Sequence, residues 1–197
     1  MSKNITSPFS KHELIPQEET LEIIKSKGEL VIGIPKETHY QEKRVCLTPD
    51  AVAALTVQGH KFVIETGAGE GANFSDNEYS EAGAKISYDV KEAFGCQIIL
   101  KVEPPSLDEI EYINPQSVLF SALQLKTQTK KYFEALASKR ITALAFDYIR
   151  DEHGIYSIVK SLSEIAGTAS ILIGAEMLSK DSGGNGLLLG NISGVPP

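Results

Sequence analysis

Short, almost wholly apolar runs that alternate with helical segments constrain this chain more than any other feature of its sequence. The runs lie at residues 30–34, 61–65, 97–102, 118–120 and 141–146. Residues 49–57, with an early proline and a following glycine, and residues 127–137, with apolar side chains at helical spacing, predict helices between them. Strands that are apolar throughout and alternate with helices are typical of parallel sheets covered on both faces. The sequence therefore predicts an α/β fold with a doubly wound, mainly parallel sheet, Rossmann-like or flavodoxin-like.

Two segments extend beyond this α/β region, which we place at residues 30–160. Residues 1–29 are polar and predict a surface extension with a short helix at 17–27. Residues 161–197 predict a long connecting helix followed by a linker, because Ser161 and Glu164 have the Ser-x-x-Glu spacing of a capping box. The small residues along this helix allow close approach of another backbone. Both a buried core helix and a contact between subunits fit that pattern.

The charge and the amino-acid usage exclude several classes of function. Nineteen Lys and Arg residues against 26 Asp and Glu residues give a net charge of −7, which leaves no basic excess for a nucleic-acid partner. The first twenty residues contain no apolar signal-peptide core, and no run approaches the eighteen apolar residues of a membrane span. The two cysteines and four histidines show no metal-ligand spacing. We therefore expect a cytoplasmic protein without a membrane segment in this part of the chain.

A glycine-rich loop at residues 67–72 (GAGEGA) matches the dinucleotide-binding pattern G-x-G-x-x-G/A, and Asp89 follows at a suitable distance. That pattern binds pyrophosphate only when the loop runs directly into a helix N-terminus. Here the next helix is predicted to start near Ser75, with Asp76 and Glu78 in its first turn, where their carboxylates would repel phosphate. A structural glycine loop beside a cleft is therefore the favoured interpretation.

Eight segments together resemble the alanine dehydrogenase and pyridine nucleotide transhydrogenase family, and alanine dehydrogenase most closely. They are residues 32–37 (IGIPKE), 42–49 (EKRVCLTP), 65–71 (ETGAGEG), 74–79, 82–84, 99–102, 162–167 (LSEIAG) and 190–197 (GNISGVPP). The resemblance implies an enzyme with an N-terminal substrate domain and a separate Rossmann domain that binds most of the NAD. The chain is then expected to be the substrate domain, inactive by itself, with its connecting segment at 161–197.

The resemblance also implies an activity and the residues that perform it. Alanine dehydrogenases interconvert L-alanine with pyruvate and ammonia by hydride transfer to or from NAD. Arg44 matches the arginine that holds the substrate carboxylate, a task suited to the planar guanidinium fork. Ser163 matches a serine near the nicotinamide. Small amino acids and 2-oxo acids are the implied substrates, and the family's usual hexamers imply a homo-oligomer.

Two positions depart from the dehydrogenase pattern. Glu103 stands where the family has a lysine that contacts substrate, and Gln124 stands where it has an acid/base histidine. Glutamine cannot relay a proton at neutral pH, and glutamate would repel a substrate carboxylate. Lys101, two residues before Glu103, is expected on the same side of the same strand. We therefore take Lys101 as a substitute for the missing lysine and Glu103 as a base or an ammonium ligand.

Two alternatives remain open at the level of sequence. Glu103 and Gln124 favour a subunit of a proton-translocating NAD(P) transhydrogenase, whose subunits also lack the lysine and histidine at these positions. The same substitutions fit a catalytically dead binding domain that keeps the fold. Amino acid-dependent NADH formation distinguishes the dehydrogenase from both.

Overall fold

The computed structural model describes residues 28–189, so the predicted helix at 17–27 and the segment 190–197 lie outside the described residues. Six strands form one sheet: β1 Val31–Ile34, β2 Lys61–Glu65, β3 Lys85–Ser87, β4 Ile98–Leu100, β5 Val118–Ser121 and β6 Thr142–Ala145. All pairings are parallel, and the strand order is β3-β2-β1-β4-β5-β6. The α/β prediction is confirmed, and the order is that of the Rossmann fold rather than of flavodoxin.

Six α-helices and two 3₁₀ turns connect the strands. The helices are α1 Pro49–Val57, α2 Asp76–Glu81, α3 Val90–Phe94, α4 Leu107–Tyr112, α5 Lys130–Ser138 and α6 Ser157–Leu178, and the 3₁₀ turns are Glu70–Ala72 and Phe146–Tyr148. The sequence patterns predicted α1, α5 and the start of α2. They did not predict β3, α3 or α4, which have only three to six residues and are too short for an apolar period to develop.

The sheet carries a hydrophobic core on each face. One core joins Ile32, Ile34, Phe62 and Ile64 of the sheet to Val52 of α1 and Tyr79 of α2. The other joins Ile99 and Leu119 to Phe94 of α3, Ile110 of α4 and Leu136 of α5. Gly33 pairs with Ile99 across the β1–β4 contact, so Ile32 and Ile34 point to the opposite face from Ile99. Helices therefore cover both faces, as the nearly continuous apolar strands predicted.

The long helix α6 begins earlier than predicted. It starts at Ser157, and the residue before it, Tyr156, makes no side-chain cap. Ser161 and Glu164 lie inside the helix, and the Ser163 hydroxyl donates to the Val159 carbonyl at 2.8 Å. The predicted capping box was wrong, because a serine hydroxyl within a helix can also bond the carbonyl four residues earlier. The proposed division at 160/161 falls within α6 and stays a prediction.

By length and composition alone, α6 is the one described helix that could cross a membrane, with a mean hydropathy of 1.3. A single helix of this kind is weak evidence, since helices of soluble proteins meet the same criterion. Its first turns also line a cavity of this domain, where Ile158 and Leu162 face Leu100 and Phe120 of the sheet. The sequence expectation of no membrane segment stays a prediction.

Candidate functional site

The candidate site lies at the carboxyl ends of β1 and β4. These strands are neighbours in the sheet, but the strand order reverses between them, and ligands of open α/β sheets bind in the crevice at such a point. The loop after β1 carries Arg44, and the segment after β4 carries Lys101 and Glu103. Gln124 follows β5, the next strand of the sheet. The fold thus places all four predicted catalytic residues at one edge of the sheet.

Lys101 is buried in an ion-paired cluster. Its side chain is only 1% exposed, and its Nζ lies 2.9 Å from Glu37 and 3.8 Å from Glu109. Glu37 also accepts the Val102 amide at 2.5 Å, so one carboxylate ties the β1 loop to the segment after β4. Burial of a charge is tolerated when it is paired in this way. Lys101 is therefore tied into the architecture of the site, with its positive charge shared between two glutamates, and its contact with a substrate stays a prediction.

Strand β4 ends at Leu100, so Lys101 and Glu103 lie beyond it. The prediction that both residues lie within the strand was therefore wrong, but both side chains line the same cavity. Hydrogen bonds to the β5 side continue past Leu100, from the Lys101 amide to the Phe120 carbonyl and from the Ala122 amide to the Val102 carbonyl, while Glu37 accepts the amide of Val102. Glu103 instead meets Arg44, whose Nη2 lies 3.5 Å from its Oε1.

Gln124 completes a short polar chain with Glu103. Its side-chain amide donates to Glu103 Oε2 at 2.7 Å. Its backbone has a φ of 48°, in the left-handed region that residues with a side chain seldom adopt. The Gln124 carbonyl accepts two bonds from Thr127, which hold this turn in place. Local strain of this kind is often kept at functional sites, so Gln124 remains a site candidate although it cannot relay a proton.

Arg44 is held by a second carboxylate within its own loop. Its Nε and Nη2 donate to the two carboxylate oxygens of Glu42, at 2.8 and 2.5 Å. These hydrogen bonds hold the pKa of Glu42 below its ordinary value and raise the pKa of Arg44, so the pair is ionised at neutral pH. The Arg44 side chain is 47% exposed. Among residues 28–189 its Nη1 makes no hydrogen bond, which leaves this nitrogen free to pair with an anion.

Two cavities lie at this edge of the sheet, one beside Glu103 and the other beside Arg44. One, of about 490 Å³, is lined by Glu103, Gln124 and Tyr132. The other, of about 260 Å³, is mainly apolar and is lined by Arg44, Cys46, Phe120 and Leu162. Burial raises the pKa of the Cys46 thiol to about 12, so this thiol is neutral and unreactive in the second cavity. Ser163 directly follows Leu162 in α6 but does not itself line this cavity, and its contact with the cofactor stays a prediction.

The glycine-rich loop has a structural explanation. The Gly67 amide, which a pyrophosphate would need, donates to the Asp76 carboxylate at 2.9 Å. A Cβ on Gly69 would lie 2.5 Å from the Tyr79 ring, and one on Gly71 would lie 2.9 Å from the backbone of Lys43. The loop therefore supports the segment that carries Arg44. Within residues 28–189, no group of three His, Cys, Asp or Glu side chains is arranged to hold a metal ion.

Comparison with known proteins shows the family of the chain. The family model described as "Alanine dehydrogenase/PNT, N-terminal domain" matches residues 33–166. The chain belongs to this family. An alanine dehydrogenase from Staphylococcus epidermidis is 39% identical over 165 residues, which cover 84% of this chain and 44% of the relative. The chain thus spans less than half the length of that relative.

Two solved structures extend the comparison. An L-alanine dehydrogenase superposes with a TM-score of 0.80 at 36% identity, covering 85% of this chain and 46% of that one. A transhydrogenase from Sinorhizobium meliloti superposes with a TM-score of 0.58 at 29% identity, covering 62% of this chain and 37% of that one. Both branches of the family thus share the fold, and the alanine dehydrogenase is the more similar of the two.

Sequence reasoning missed three residues that shape the site: Glu37, Glu42 and Tyr132. The first two lie within the segments IGIPKE and EKRVCLTP that carry the resemblance, so a signal existed at those positions. The sequence pattern did not show which residue pairs with Glu37, because its partner, Lys101, lies 64 residues further along the chain. Tyr132 occupies an apolar position of α5 and looks like an ordinary core residue from sequence.

Proposed function

We propose that the chain is the substrate-binding part of an NAD-dependent dehydrogenase that oxidises an L-alanine-like amino acid. The observation that carries the proposal is the contact between Arg44 and Glu103 at the reversal of the strand order. A cation beside a carboxylate matches the two charged groups that every amino acid carries on its α-carbon. The family membership adds amino acid oxidation as the chemistry such a site would serve.

Arg44 would bind the substrate carboxylate. Its Nη1 edge is open, and Glu42 holds the guanidinium in one orientation from the other side. A guanidinium that is fixed before binding loses less conformational entropy when it pairs with an anion. In a chain of net charge −7, this local cation also attracts an anionic group that the remaining surface repels.

Glu103 would act on the substrate amino group. Its carboxylate accepts from Gln124 and lies beside Arg44, so it can hold an ammonium group next to the bound carboxylate. As the base it would take one ammonium proton, which frees the nitrogen lone pair. NAD, when bound, supplies the acceptor for the hydride that leaves the α-carbon. Water would then add to the iminium carbon, one of its protons would pass to the nitrogen, and loss of ammonium would give the 2-oxo acid.

Ser163 is the residue of this chain that would contact the cofactor. Its hydroxyl donates its hydrogen to the Val159 carbonyl. The oxygen lone pairs remain available to accept a hydrogen bond, for example from the nicotinamide carboxamide. The Gly67 loop does not fit the pyrophosphate, because Asp76 already occupies the amide. Most of the NAD contacts would thus belong to a separate Rossmann domain. In this division, residues 1–29 are an extension, residues 30–160 are the substrate domain and residues 161–197 are the segment that connects it to the Rossmann domain.

We assign this enzyme to the cytoplasm as a homo-oligomer. Large apolar side chains of α6 are exposed, including Ile165, Ile171 and Leu172. Such a contiguous apolar surface is typical of a protein–protein contact. Self-association through α6 would cover it.

The proposed function is tested with the full-length protein, by recording NADH formation at 340 nm with L-amino acids. We expect amino acid-dependent reduction of NAD. Arg44→Lys should raise KM by about tenfold or more, because an ammonium cannot reproduce the planar fork. Lys43→Arg, in the same loop, serves as the control and should leave KM unchanged. Absence of NADH formation with every amino acid would reject the proposal.

A transhydrogenase is the second candidate, and the identity of Gln124 favours it. Glutamine can align a carboxamide or a carboxylate but has no proton to exchange at neutral pH. The 29% identity to a transhydrogenase of solved structure supports the same candidate function. Hydride exchange between NADH and an NADP analogue, without any amino acid, would select this candidate.

A further inference from the structure

The larger cavity of the site extends well beyond what a methyl side chain needs. Its volume of about 490 Å³ is in the range of small-molecule pockets. It begins at Glu103 and Gln124 and reaches Tyr132 of α5, with Ser106 and Glu109 at its side. An amino acid held by Arg44 and Glu103 would direct its side chain into this space. Alanine would leave most of it unfilled.

Tyr132, which lines this cavity, carries an unsatisfied polar group. The residue is only 4% exposed, and its hydroxyl has no hydrogen-bond partner among residues 28–189. Burial without a partner destabilises a folded protein by about 1–3 kcal/mol, so natural structures seldom retain it without a reason. Burial raises the pKa of Tyr132 to about 12, and its hydroxyl is therefore protonated and neutral at working pH. It can both donate and accept a hydrogen bond.

The charges around the cavity favour a ligand that donates hydrogen bonds. Apart from His39, the charged residues that line it are Lys101, Glu103 and Glu109. Lys101 shares its charge between Glu37 and Glu109, so it cannot attract a further anion. Glu109 accepts from Thr38 and from the Ser106 amide, and each carboxylate oxygen keeps a further acceptor site. A side-chain carboxylate would be repelled here, whereas an amino group would find acceptors.

We propose that this cavity binds the side chain of an amino acid substrate that ends in an amino group, with the Tyr132 hydroxyl and the Glu109 carboxylate as its partners. The proposal rests on the proposed function for the position of the α-carbon and deepens it by naming the substrate class. L-Lysine and L-ornithine are the simplest members of that class. L-Norleucine has the four-carbon chain of lysine and lacks the amino group, so it is the matched probe.

Binding to the full-length protein tests this proposal by calorimetry, with L-lysine, L-norleucine and L-alanine as the probes. We expect L-lysine to bind at least about tenfold more tightly than L-norleucine, because a site built for a polar group rejects the analogue that lacks it. Tyr132→Phe should weaken L-lysine binding by about tenfold and leave L-norleucine binding unchanged. The same variant should not lower the melting temperature, since it removes an unpartnered buried hydroxyl.

Tyr79→Phe is the matched control. Tyr79 is also buried, but its hydroxyl donates to the Leu47 carbonyl at 2.8 Å. This variant should lower the melting temperature by about 2 °C or more and leave the ratio of lysine to norleucine affinity unchanged. Equal binding of L-lysine and L-norleucine, or a ratio that Tyr132→Phe does not alter, would overturn the proposal.

The two proposals fail separately. NADH formation with L-alanine together with no preference for L-lysine would reject the side-chain pocket and keep the dehydrogenase. Tight, Tyr132-dependent binding of L-lysine without any NADH formation would keep the pocket and reject the dehydrogenase. Neither binding nor oxidation of any amino acid would reject both.

Discussion

At the scale of single residues, the site is determined by which charges neutralise each other. Lys101 is paired with Glu37 and Glu109, and Arg44 is paired with Glu42. Glu103 is left between Arg44 and Gln124, and it is the least committed carboxylate of the cluster. A residue that occupies a catalytic position in the sequence is thus available to substrate only if its neighbours leave its charge unshared.

Lys101→Met tests this assignment of Lys101 to structure. Removal of the ammonium leaves two buried glutamates without their partner, which typically lowers the free energy of unfolding by about 3–5 kcal/mol. Lys130→Met is the control, because Lys130 pairs with Glu134 on the surface of α5 and such exposed pairs contribute less than about 1 kcal/mol. Urea unfolding of both variants measures the difference. Equal, small effects would show that Lys101 is not the buried partner of Glu37.

At the scale of elements, close packing between a strand and a helix determines where the site residues lie. Gly33 in β1 lies so near α3 that a Cβ would be 1.8 Å from the Ala93 carbonyl oxygen. Strand β1 also leads into the loop that carries Glu37 and Arg44. Any displacement of β1 would therefore move both residues relative to Glu103.

Gly33→Ala is expected to destabilise the protein and to weaken substrate binding. The added methyl group has to push β1 and α3 apart, and overpacking of this kind costs about 1–3 kcal/mol. Gly167→Ala in α6 is the opposite case, because its Cβ meets no atom within 4 Å and alanine stabilises a helix interior by about 0.5–1 kcal/mol relative to glycine. Thermal unfolding should thus shift in opposite directions. A stable Gly33→Ala variant would contradict the close packing of β1 and α3.

At the scale of the whole molecule, α6 is the element whose exposure the described residues do not explain. None of its 22 residues is buried, and large apolar side chains such as Ile165, Ile171 and Leu172 are mostly exposed. A soluble protein seldom leaves such a surface uncovered. The sequence left open whether the small residues of this helix mark a core or a contact between subunits, and the absence of buried residues favours the contact.

Ile165→Glu with Leu172→Glu tests that contact. The two residues are seven apart, on one face of the helix, and are 67% and 68% exposed. Charge on this face should reduce the oligomer to a smaller species, as measured by light scattering of the full-length protein. Ser170→Glu, which adds charge on another face of α6, should leave the mass unchanged. An unchanged mass in the double variant would reject α6 as the subunit contact.

The features that the sequence by itself determined are those that depend on interactions between residues close together in the chain. Apolar runs and helical spacing act over a few residues, so they were sufficient for the α/β class and for α1, while eight short segments read together were sufficient for the family. The tertiary structure alone decided that Lys101 is buried and that Glu103 contacts Gln124, across 64 and 21 residues of chain. It also decided that the Tyr132 hydroxyl has no described partner. These features depend on which loops meet at the edge of the sheet. Local patterns along the chain do not indicate which distant segments come into contact.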